Sequence, residues 1–132
     1  MKTFTYTSIG NYVKPKLEGG KELVDALKSG KYAKGKNILR DERDNYCCLG
    51  VKCELDGYYR ENKLCLATTA LPADHPWIEP HGNVLYFPPG FFVRYFSSDG
   101  EFIKLKSIAE ANDVAESFSI VINILEAAWD CI

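Results

Sequence analysis

Polar and apolar residues alternate at the start of the chain, with Phe4, Tyr6 and Ser8 set against Thr3, Thr5 and Thr7. Aromatic and β-branched residues in that period-two pattern predict a short strand. Pro15 and the Gly19-Gly20 pair break it. The period then changes. Leu23, Val24 and Leu27 form one apolar stripe at helical spacing, and Gly30 follows as a stop, which predicts a helix over about 20–29. The run YCCLGVKCELDG has few polar positions and sits behind Asp44 and Asn45, both good N-cap residues. It predicts a mostly buried helix over about 45–56. Gly50 inside it costs about 1 kcal/mol relative to alanine, so close approach of another element is expected there.

Residues 58–90 read as irregular. A short hairpin is expected in YYRENKLCLATTALP, with Glu61-Asn62 at its turn, and a strand over Asn83–Phe87. Five of the six prolines fall between Leu71 and Gly90. Pro88-Pro89 suit the opening of a helical turn through FFVRYF, closed by Ser97-Ser98-Asp99-Gly100. Two C-terminal helices are expected. Leu105, Ile108, Ala109 and Asn112 mark the first. Ser117 caps the second, with Phe118, Val121, Ile122, Leu125 and Trp129 on one face that suits a core or a dimer contact. These elements predict an α+β fold, mainly helical. About four helices would pack around the Cys47–Leu55 helix beside a small strand or hairpin element, as a single domain over residues 1–132.

Composition narrows the class. The 132 residues are 46% hydrophobic and 26% charged, ordinary values for a folded chain. No apolar run is long enough to span a membrane. The opening MKTFTYTSIGNYVKPK lacks the apolar stretch of a secretion signal. Net charge of −2 argues against general coating of duplex nucleic acid. Five cysteines, Cys47, Cys48, Cys53, Cys65 and Cys131, make an odd set that suits reduced thiols in a cytoplasm. On a helix Cys48 and Cys53 point about 140° apart and do not converge on one metal ion. No metal and no cofactor is expected.

The block ALKSGKYAKGKNILRDERDNYCCLGVKCEL resembles a family of small bacteriophage and prophage proteins. The matching positions run from Ala26, Leu27, Ser29, Gly30, Tyr32, Gly35, Leu39 and Arg40 to Tyr46, Cys47, Cys48, Leu49, Gly50, Val51, Cys53 and Leu55. Ser107, Ile108, Ala109, Asn112, Asp113, Ser117, Phe118, Ile120 and Ile124 resemble the tail of that family. Lys52 departs from it, at a place that is usually apolar there. Segment 58–90 has no counterpart. The resemblance implies a phage accessory protein in the host cytoplasm and brings no reaction with it.

Three sites follow from the residues. Lys28, Lys31, Lys34, Lys36 and Arg40 lie in a glycine-spaced stretch with no acid between positions 28 and 40. Lysine charge, the arginine fork and nearby tyrosines suit a phosphate-bearing small molecule. The expected binding set is Lys31, Tyr32, Lys34, Lys36, Arg40 and Tyr46. The stretch is not a P-loop, because Asn37 follows Lys36 where Ser or Thr is needed. The leading reading is a non-enzymatic sponge for a host immune-signalling nucleotide. A second reading is an inhibitor that docks a host protein through Phe91, Phe92, Tyr95 and Phe96. A third is a cysteine hydrolase using Cys47 or Cys48 at a helix start with His81, oriented by Asp74 or Asn83.

Overall fold

The first alternation forms strand β1 over Thr3–Ser8. The computed structural model describes residues 3–8, 10–61, 64–97 and 99–132. A two-residue strand, β2 (Lys16–Leu17), leads into α1 (Gly20–Lys28), whose Leu23, Val24 and Leu27 are buried as their spacing requires. Strands β3 (Ala33–Lys34) and β4 (Asn45–Tyr46) flank the basic loop, and α2 runs over Cys48–Leu55. After a long irregular stretch come β5 (Phe91–Phe96) and β6 (Phe102–Lys104). Helices α3 (Ile108–Val114) and α4 (Phe118–Ala128) and strand β7 (Asp130–Cys131) complete the order.

One sheet has three antiparallel strands in the order β1-β5-β6. Two small parallel pairs, β2 with β7 and β3 with β4, tie distant parts of the chain together. The core joins α1, α2 and α4 to the inner face of β5. Val51, Val93, Val121, Ile124 and Leu125 are fully enclosed there. The apolar face of α4 is thus consumed inside the fold. No helix among the described residues is long and apolar enough to cross a membrane.

The mainly helical expectation is corrected. Helices hold 28% of the described residues and strands 22%, so the fold is mixed. The largest change is at FFVRYF. It is strand β5, with Phe91, Val93 and Tyr95 inward at period two. Pro88-Pro89 form a turn instead of a helix start: Gly90 takes a φ of 87°, and the Phe91 N–H donates to the Pro88 carbonyl at 3.1 Å. Segment Asn83–Phe87 is not a continuous strand. It makes single bridges, Val84 to Ile78 and Tyr86 to Ser107. Glu61 lies in a turn after α2, and the expected hairpin turn at Asn62 falls outside the described residues.

The start of α2 also differs from expectation. Its N-cap is Cys47, whose Sγ accepts from the Gly50 N–H at 3.4 Å. Asn45 is taken up in β4, and Asp44 has a left-handed φ of 58°. The close approach expected at Gly50 is present. A Cβ there would overlap the Leu39 carbonyl, which itself accepts from the Cys47 N–H at 3.2 Å. The last turn of the basic loop therefore rests directly on the first turn of α2.

Candidate functional site

The basic loop is wired into the fold at several points. Asp41 acts as its internal hub. The carboxylate accepts from the backbone N–H groups of Arg43 and Asn45 and from the Asn45 side chain, at 2.8–3.0 Å. Those bonds hold the Asp41 carboxyl below its ordinary range. Fully buried Asn112, on α3, holds the other side: Oδ1 accepts from the Cys48 N–H at 3.0 Å, and Nδ2 donates to the Gly35 carbonyl at 3.2 Å. Asp113 accepts from the Asn37 N–H at 2.8 Å. Helix α3 thus positions both the loop and the start of α2.

This wiring brings four of the six expected residues together. Lys34 and Tyr46 are register partners in the β3–β4 pair, and Arg40 bridges to Tyr46. Tyr32 meets Tyr46 edge to face at 5.1 Å. The Arg40 guanidinium lies 5.5 Å from the Tyr46 ring centre and 5.3 Å from that of Tyr59. Lys31 and Lys36 are exposed on either side. Tyr59, one of the nearby tyrosines expected to be able to stack on a base, also reaches the cluster. Its hydroxyl is buried with no hydrogen-bond partner, and burial pushes its pKa up.

Charge in this cluster is partly countered. Arg40 Nε and Nη2 both reach Asp44 Oδ1, at 2.9 and 2.8 Å, which raises the guanidinium pKa further. The Asp44 side chain is 65% exposed, so the pair faces solvent. Partial burial lowers the Lys34 pKa, while Asp113 pulls the other way. Clefts of about 370 to 680 Å³ among the described residues are walled by other side chains.

One of those clefts, about 370 Å³, holds a second charged cluster that sequence reasoning missed. Lys52 on α2 is 7% exposed and donates to Asp56 Oδ1 at 2.8 Å, one helical turn on. Asp56 Oδ2 accepts from His75 Nε2 at 3.1 Å. His75 Nδ1 accepts from the Trp77 N–H at 3.0 Å, which fixes the tautomer. Lys52 Nζ sits 5.5 Å from the Trp77 ring centre, and the indole N–H donates to the Glu18 carbonyl. Burial lowers the His75 pKa, against the pull of Asp56. Both imidazole nitrogens are engaged inside the protein, so this network anchors the 72–77 turn on α2. The one visible signal was Lys52 at i, i+4 from Asp56, with the lysine at a place that reads as apolar.

The cysteines do not form a nucleophile geometry. Burial pushes Cys47 up to about 11 and Cys53 up to about 12, and raises fully buried Cys48 strongly. A thiol held neutral and used as a helix cap is a core group. His81 is exposed in the turn after Pro80. Cys47, Cys48, Cys53, Cys65 and Cys131 are all unpaired. Among the described residues no group of three or more His, Cys, Asp and Glu side chains is placed to hold a metal. The aromatic patch divides across β5: Phe91 and Tyr95 face the core, and Phe92 and Phe96 face out, half-buried.

A family model described as a domain of unknown function (DUF8296) matches residues 16–129. No curated protein and no solved structure matches the chain.

Proposed function

The chain belongs to the DUF8296 family, whose description names no activity, and from its side chains we propose a non-enzymatic binding protein for a small phosphate-bearing molecule. The supporting observation is the meeting of Tyr32, Lys34, Arg40 and Tyr46 through the β3–β4 pair, with Lys31 and Lys36 flanking them. A phosphate would displace the exposed Asp44 carboxylate from the Arg40 fork and draw on the adjacent lysines. The tyrosines offer ring faces or edges to a base. A nucleotide fits this combination better than inorganic phosphate, which would leave the rings unused.

The biological setting is part of the proposal. It rests on the resemblance of the Tyr46–Leu55 block to phage proteins and on the five unpaired thiols. It has the protein act in the host cytoplasm and sequester a host signalling nucleotide. Sequestration needs affinity and no chemistry.

A thermal-shift panel of mono-, di- and cyclic nucleotides and ADP-ribose derivatives tests the reading. Ligand at 100 times its Kd adds about 2.7 kcal/mol, several degrees for a chain of this size. The expected result is a selective shift that Arg40→Ala removes. A flat panel, or a shift indifferent to Arg40→Ala, overturns it.

A further inference from the structure

The β1-β5-β6 sheet has an outer face that the nucleotide reading does not use. Antiparallel register fixes which side chains share it. Thr3, Phe96 and Phe102 form one row. Thr5, Arg94 and Lys104 form the next, and Thr7 and Phe92 a third. Rows on one face of a strand lie about 7 Å apart. An aromatic row, a cationic row and an aromatic row therefore follow one another down β5, with a column of hydroxyls along β1. Arg94, Lys104 and all three threonines are exposed, and Phe102 is 50% exposed. The cations lie on ring faces, Lys104 at 4.9 Å from Phe92 and Arg94 at 5.4 Å from Phe102.

The face continues into a cleft of about 410 Å³ where Tyr86, Phe92, Lys104 and Lys106 line the wall. No carboxylate lines that cleft, and none stands in the three rows. In a chain of net charge −2, this is a local cationic and aromatic surface.

We infer that this sheet face binds single-stranded nucleic acid. Bases displace the Lys104 side chain from the Phe92 ring and the Arg94 side chain from the Phe102 ring and stack there, beside Phe96, whose ring lies 6.1 Å from that of Phe102 and is tilted to it by 58°. The phosphate between them meets Arg94 and Lys104. Ring faces accept any base, so binding is tolerant of sequence. A duplex hides its base faces and is a poor occupant. An acidic peptide would satisfy the cation row and leave the ordered aromatic rows without purpose.

Fluorescence anisotropy with labelled oligo-dT and oligo-U of about ten nucleotides, titrated with the whole chain, tests this. Binding should weaken with salt. Phe102→Ala should weaken it about tenfold. Arg94→Gln and Lys104→Gln should each lower the salt slope by about 1. Both substitutions are at exposed positions, and circular dichroism checks that the fold is kept. Comparing the two oligonucleotides separates a DNA from an RNA occupant, and either one supports the inference. It is overturned if neither oligonucleotide binds, if Phe102→Ala and Arg94→Gln leave binding unchanged, if an acidic peptide binds this face as tightly, or if Arg40→Ala alone abolishes binding.

Discussion

Arg40 and Lys52 are built from the same parts and sit in different surroundings. Each cation has a carboxylate four residues on, Asp44 or Asp56, and each lies over aromatic rings. The Arg40 and Asp44 side chains are 27% and 65% exposed, whereas those of Lys52 and Asp56 are 8% and 27%. Water screens the first pair, so its carboxylate is exchangeable for an outside anion at small cost. The second pair is closed in by Trp77 and by His75, whose ring is fixed from both nitrogens. Removing one partner there strands a charge. Burial, and not residue type, separates a cation open to exchange from one locked into the fold.

The largest expected effect breaks the closed cluster. Asp56→Ala leaves Lys52 and the His75 Nε2 hydrogen without their acceptor, and should destabilise the fold by about 3 kcal/mol in urea unfolding. A loss below about 1 kcal/mol would place Lys52 in effective contact with water. Arg40→Ala, in contrast, should cost about 1 kcal/mol or less.

The closed cluster should also carry a pH signature that the open one lacks. His75 has a lowered pKa when folded, so the unfolded chain binds the proton more readily. Its contribution is fully present above the unfolded value of about 6.5. It is lost as pH falls from there through the lowered folded value. Protonation also places a hydrogen on Nδ1, where the Trp77 N–H now donates. Lys52, Asp56 and Asp74 are the charged neighbours acting on this ring. His75→Gln, which can still accept and donate, should flatten the urea midpoint below pH 6.5. A slope unchanged by that substitution would assign the loss to other groups.

The contrast also shows what was legible beforehand. Helix α1 was readable because its apolar stripe and glycine stop are local. The basic loop was readable because its charge run is local too. Its meeting with Tyr46 depends on Asn112, far along the chain, holding Gly35 and Cys48. Strand β5 was misread because proline before an aromatic run suits a helical start, while its true partner, β1, lies at the other end of the sequence. Of the Lys52 network only the Lys52–Asp56 spacing was legible, because His75 sits in a proline-rich turn and nothing local marks it as packing on α2.

Asp44→Asn is the most direct test of the open cluster, read beside the wild type and Arg40→Ala in one nucleotide thermal-shift series. Freeing Arg40 from its carboxylate should enlarge the ligand-induced shift, and removing Arg40 should abolish it. Equal shifts in all three proteins would contradict the account, because the phosphate would then be held elsewhere.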